Sequence, residues 1–180
     1  MKKSLNLSSV HLGDAMLSQE SGQVMNILIV TSWRSGSSFL GELLNQFPGT
    51  FYYFEPLHYY SQKMIQEEFL ETLFRCQFGD SNHGFLEHVK KNSFLLSDRN
   101  KRLWDSCKLF PELERLEACF SEDYLNRVCP RFPLRLIKTV RLRVQKTRKL
   151  LENLPNTKIL VLVRDPRAVF RYYTCLLNMC

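Results

Sequence analysis

Apolar and polar positions divide this chain into short buried runs that alternate with helical stripes. Residues 26–31 form a run of branched side chains that stops at the polar cluster Ser32-Trp33-Arg34-Ser35-Gly36-Ser37-Ser38. That is the pattern of a buried β-strand feeding a tight loop. Over residues 38–46, Phe39, Leu40, Leu43 and Leu44 share one face of a helix. Pro48-Gly49 marks a turn, and the aromatic run 50–54 reads as a second strand. Between 59 and 75, Met64, Ile65, Phe69, Leu70, Leu73 and Phe74 recur at helical spacing. The stretch 76–133 is the least regular, with helical patches at 85–88, 113–118 and 124–128. Beyond it, 134–140 reads as a strand, 144–154 as a helix and 158–163 as a strand. Asp165 as N-cap and Pro166 at the first helical position open a last helix. Strands alternating with helices predict an α/β fold with a parallel sheet flanked by helices. Residues 1–24, polar and aperiodic, are expected to form a loose N-terminal arm ahead of a domain over 25–180.

A chain of 180 residues that is 44% hydrophobic can bury one real core. Its formal charge of +7 favours an anionic partner. Seven basic residues fall between Arg131 and Arg148. Few aromatic residues stand among them, so no stacking platform for single-stranded nucleic acid is formed, and nucleic acid is not expected as a partner. Six cysteines lack CxxC pairing and nearby His partners, which argues against a zinc site. Their even number suits disulfides in an oxidising compartment, and scattered buried thiols equally. No stretch approaches the roughly 20 apolar residues of a membrane-spanning helix, and no apolar run follows Lys2-Lys3 as in a signal peptide.

The loop after the first strand carries the chemistry. Amide groups at a helix start have no partner in the helix and sit at the positive end of its dipole, so they attract an anion. Gly36 permits a tight turn, the serine hydroxyls add donors, and Arg34 adds a charged fork. The ordinary nucleotide loop GxxxxGK[ST] is not matched. Thr31 stands where its first glycine would be and Ser37 where its lysine would be, which disfavours an ATP- or GTP-dependent kinase. A strand-to-helix turn with a capping serine and a surface arginine is the plain alternative.

Residues 32–38 read Ser-Trp-Arg-Ser-Gly-Ser-Ser, followed by Asn45-Gln46-Phe47-Pro48, Phe51-Tyr52-Tyr53 and Glu55-Pro56. Lys138-Thr139-Val140-Arg141 and the segment from Leu160 to Val169, with Val163-Arg164-Asp165-Pro166-Arg167-Ala168 inside it, complete the series. In wording and order these segments resemble the carbohydrate sulfotransferases, in the branch that sulfates the 6-hydroxyl of galactose, N-acetylglucosamine or N-acetylgalactosamine. Between about 60 and 130 the similarity is loose. The resemblance implies a P-loop-like sulfotransferase fold, incomplete at the C-terminus, that uses 3′-phosphoadenosine 5′-phosphosulfate (PAPS) as co-substrate. It implies a glycan acceptor and no metal. It also implies residence in the Golgi lumen, where relatives are tethered by an N-terminal membrane helix. That helix is not found in this sequence, so a fragment, a short isoform or a different location is expected.

By the same resemblance, Ser32, Trp33, Arg34, Ser35, Gly36, Ser37 and Ser38 would hold the 5′-phosphosulfate. Arg34 would neutralise charge on the leaving phosphate, an electrostatic role because its guanidinium keeps its proton. Glu55 is the candidate general base, twenty-one residues after Arg34, a spacing similar to that of tyrosine-protein sulfotransferases. It is expected at the C-terminal end of the second strand, where open α/β sheets bind ligands. There an aromatic surround would tune it for proton transfer. A salt-bridging role for Glu55 and a rival base at His58 are the alternatives. Arg164 would grip the 3′-phosphate. Where the family pattern has Ser, eight residues on, this chain has Tyr172, whose hydroxyl lies farther from the backbone. That departure points to weakened PAPS affinity, or to a catalytically silent chain that still binds PAPS or glycan.

Overall fold

A computed structural model describes residues 24–59, 65–79, 83–92, 96, 98–108 and 119–176. The expected arm over 1–24 and helical patch at 113–118 lie outside the described residues, apart from Val24, as does Met64. Four strands, β1 (Met25–Thr31), β2 (Thr50–Phe54), β3 (Leu134–Thr139) and β4 (Thr157–Leu162), form one sheet in the order β2-β3-β1-β4. Every pairing is parallel, with Ile27 opposite Leu136 and Lys158. Among the described residues seven α-helices accompany it: α1 (Ser37–Asn45), α2 (Gln66–Phe74), α3 (His83–Lys91), α4 (Lys101–Lys108), α5 (Glu122–Val128), α6 (Thr147–Asn153) and α7 (Pro166–Leu176). The parallel α/β reading holds. Strand bounds match to within a residue or so; of the helix expected over 59–75, α2 takes up Gln66–Phe74, Tyr59 ends a 3-10 turn, Pro56–Tyr59, and residues 60–64 lie outside the described residues. The expected helix at 144–154 likewise begins as a 3-10 turn, Val144–Lys146.

One sheet face carries the main core. Leu28, Val30, Phe51, Tyr53 and Ile137 pack there with Phe69, Leu70, Leu73 and Phe74 of α2 and Leu125 and Val128 of α5. The opposite face is smaller: Ile29, Tyr52 and Leu136 are covered by Leu40 and Leu44 of α1. Phe39 and Leu43 do not share that seam; they are 75% and 53% exposed. Gly41 is the reason. A β-carbon there would lie 2.1 Å from the Tyr52 hydroxyl, so the missing side chain lets the helix settle on the tyrosine. The buried stripe is thereby turned toward Ser37 and Gly41 and away from Phe39 and Leu43.

β2 is an edge strand whose backbone is satisfied by a side chain. Asn100, just before α4, accepts from the Tyr52 amide at 2.9 Å and donates to the Tyr52 carbonyl at 2.9 Å, as a further strand would. Two disulfides, Cys76–Cys129 and Cys107–Cys119, pin the irregular region. This settles four of the six cysteines as bridged rather than as free buried thiols. The first joins the end of α2 to the end of α5, and the Tyr53 hydroxyl packs on it, 3.2 Å from Cys129 Sγ and 3.0 Å from the Leu73 carbonyl.

Candidate active site

The loop between β1 and α1 is shaped by two left-handed residues, Arg34 at φ 62° and Gly36 at φ 92°. Glycine takes that conformation freely; for arginine it is strained. The Thr31 hydroxyl bonds both the Ser35 hydroxyl (2.6 Å) and the Leu162 carbonyl (2.7 Å), which fastens the loop to the ends of β1 and β4. Gly36 serves as N-cap without a side-chain cap, and the first helical bond runs from the Leu40 amide to the Gly36 carbonyl. The amides of Ser37, Ser38 and Phe39 therefore find no partner within α1. The capping serine of the plain alternative is not what opens this helix.

Ser37 and Ser38 border a cavity of about 480 Å³ at the C-terminal ends of the strands. Trp33, Arg34, Gly36, Ser37 and Ser38 line it from the loop, and Glu55 and His58 from the end of β2. Lys138 enters from β3 and Arg141 from just past its end, Arg164 and Tyr172 from the β4–α7 connection and α7. Two loop residues are not brought in. Ser35 is buried, its hydroxyl spent on Thr31, and Ser32 borders a separate groove beside Arg143 and Val161.

Glu55 sits just past β2 at φ 50°, a second strained residue in the same cavity. Its surround is not the apolar aromatic one expected from its neighbours. Lys138 Nζ donates to Oε1 at 2.5 Å, while the Val140 amide and the Arg141 guanidinium donate to Oε2 at 3.3 and 3.1 Å. The Lys138 and Glu55 side chains are only 5% and 8% exposed, so each charge has lost its water and depends on the other. Lys138 also lies 4.7 Å from the centre of the Phe54 ring, and Arg141 4.9 Å from that of Trp33. His58 is exposed, and its amide donates to the Glu55 carbonyl. Its imidazole is held below the ordinary histidine value, first by desolvation and then by the Arg141 charge, with Glu55 pulling the other way.

The second loop meets the first directly. Arg164 donates to the Arg34 carbonyl at 3.0 Å, and the Arg34 guanidinium carbon lies 4.6 Å from the centre of the Tyr172 ring. Asp165 caps α7 by accepting from the Arg167 amide at 2.8 Å, and its carboxylate pairs with the Arg167 side chain. Among residues lining the cavity, the four basic side chains of Arg34, Lys138, Arg141 and Arg164 thus face one carboxylate. Such a site suits a multiply charged anion with room for one proton acceptor. No cluster of three or more His, Cys, Asp or Glu able to hold a metal ion occurs among the described residues.

Lys138 and Arg141 are the residues that pattern reading left without a role. The signal was present: a lysine inside the buried run Leu136-Ile137-Lys138-Thr139 demands an anionic partner.

Comparison with known proteins agrees with this geometry. The profile of the Sulfotransferase family matches residues 26–178. Carbohydrate sulfotransferase 4 of Mus musculus is 30% identical over 85% of this chain and 45% of its own length. Carbohydrate sulfotransferase 7 of Mus musculus is 30% identical over 91% and 40%, and carbohydrate sulfotransferase 5 of Homo sapiens 29% identical over 82% and 41%. The chain therefore spans less than half the length of these relatives. No solved structure matches it. The chain belongs to the sulfotransferase family.

Proposed function

We propose that this cavity binds PAPS and directs its sulfonate to a sugar hydroxyl of a glycan. The observation that carries the reading is the convergence of Arg34, Lys138, Arg141, Arg164 and the open end of α1 on one cavity containing a single carboxylate. The names of the relatives, carbohydrate sulfotransferases, support a sugar as acceptor. Similarity to the 6-O branch supports the 6-hydroxyl as the position.

In the transfer, the sugar oxygen bonds to sulfur as the bond from sulfur to the phosphate oxygen breaks, and the hydroxyl proton leaves to a base. Arg34 with the amides of Ser37 and Ser38 holds the 5′-phosphate and takes up the charge growing on the departing oxygen. Arg164 meets the 3′-phosphate. Glu55 accepts the proton, and Lys138 and Arg141 fix its carboxylate in position. Two disulfides support residence in an oxidising compartment such as the Golgi lumen. No helix among the described residues is long and apolar enough to cross a membrane.

One observation favours a second reading, a module that binds without transferring. Both Glu55 carboxylate oxygens are already engaged by donors. Incubation with sulfur-labelled PAPS and N-acetylglucosamine- or galactose-terminated acceptors separates the two. Label on the sugar that disappears in Glu55→Gln supports transfer, whereas nucleotide binding with no labelled sugar supports the silent module.

A further inference from the structure

We infer that Tyr172 is a positioning residue for Arg34, and that its ring rather than its hydroxyl is what the site uses. This rests on the reading of Arg34 as the 5′-phosphate ligand. Arg34 occupies a left-handed backbone conformation at φ 62°, which an arginine leaves unless something holds it. Two contacts do so, and both come from the far side of the cavity. The Arg164 guanidinium donates to the Arg34 carbonyl at 3.0 Å and fixes the backbone. The Tyr172 ring, nearly two turns into α7, lies 4.6 Å from the Arg34 guanidinium carbon and fixes the side chain.

A guanidinium over an aromatic face keeps its in-plane N–H groups available, since the ring uses only the flat side of the cation. With its guanidinium carbon 4.6 Å from the ring centre, Arg34 is held beside the cavity that both residues line. The alternative, an arginine swinging freely on a strained loop, would lose rotamer freedom each time an anion bound. Tyr172 thus ties the two anion-binding segments together. A small hydroxyl residue at this position could offer a hydrogen bond but not this surface.

The test reads the stack and its consequence separately. Arginine side-chain NMR of the whole chain, with Arg34 assigned by its loss in Arg34→Lys, should show an Nε–H resonance moved upfield by the ring. The shift should persist in Tyr172→Phe and vanish in Tyr172→Leu, with no ligand present. Affinity for 3′-phosphoadenosine 5′-phosphate should then fall about three- to tenfold in Tyr172→Leu. It should recover to within about twofold in Tyr172→Phe, and Tyr172→Leu should cost nothing further in an Arg34→Ala background. An unshifted Arg34 resonance overturns the inference, as does a Phe variant that loses as much affinity as the Leu variant. A wild-type chain that shows the shifted resonance yet binds no nucleotide overturns the donor reading instead, and the stack is then left without that function.

Discussion

Lys138 Nζ lies 2.5 Å from Glu55 Oε1, and both side chains are more than nine-tenths sealed from solvent. A charge pair this dry is held less by its own attraction than by the cost of stranding either member. Glu55→Gln should therefore do two things. It should reduce sulfonate transfer by roughly 10²–10⁴-fold. It should also destabilise the fold by on the order of 3 kcal/mol, because Lys138 is left buried without its carboxylate. The double variant Glu55→Gln/Lys138→Met should recover much of the stability, read by urea denaturation, and none of the turnover. A single variant as stable as wild type would show that solvent reaches the pair.

His58 should titrate below the ordinary histidine value, because desolvation and the Arg141 charge both oppose its protonation. Arg141→Met removes a cation and should raise that value; Glu55→Gln removes an anion and should lower it further. The imidazole carbon-bound proton followed by NMR across pH reads both directions. Shifts of the opposite sign would mean that His58 does not face this cluster.

Gly41 should not tolerate alanine. The added β-carbon would meet the Tyr52 hydroxyl at 2.1 Å, and the ring beneath it has no room to retreat in a buried strand. Overpacking of this kind costs about 1–3 kcal/mol or more. Tyr52→Phe alone should be close to neutral, since that hydroxyl is buried with no hydrogen-bond partner. Combined with Gly41→Ala it should restore part of the loss. Thermal melts of the three variants check the pattern.

The two disulfides should differ in worth. Cys76–Cys129 closes a separation of 53 residues and Cys107–Cys119 one of 12. Constraint of the unfolded chain grows with the loop, giving about 4 kcal/mol against about 3 kcal/mol. Paired Cys→Ser substitutions compared by chemical denaturation test the ranking.

Local pattern carried the strands, because branched apolar runs between turn residues have few other readings. It carried the place of the β1–α1 loop as well, since strand end, glycine and helix start are contiguous in sequence. What it could not carry depends on contacts across the sheet. The seam of α1 is set by Tyr52 beneath Gly41, and nothing in residues 38–46 announces it. The surround of Glu55 comes from Lys138 and Arg141, some eighty residues away in sequence. They become neighbours only because β2 pairs with β3. Strand order and disulfide pairing are likewise long-range facts. Ser35 illustrates the local limit: it sits in the anion loop by sequence, yet its hydroxyl is turned back onto Thr31.

On the proposed function, Arg34 and Arg164 hold the two ends of one nucleotide. Calorimetric titration with 3′-phosphoadenosine 5′-phosphate measures it without needing turnover. Binding by the whole chain should be saturable and one-site, weakened by roughly 10- to 150-fold in Arg34→Ala and in Arg164→Ala. Adenosine 5′-phosphate, which lacks the 3′-phosphate, should bind more weakly to wild type and lose less in Arg164→Ala than the 3′-phosphorylated nucleotide does, its remaining loss coming from the Arg34 backbone that Arg164 holds. No binding by the wild-type chain, or unchanged affinity in Arg34→Ala, would contradict it.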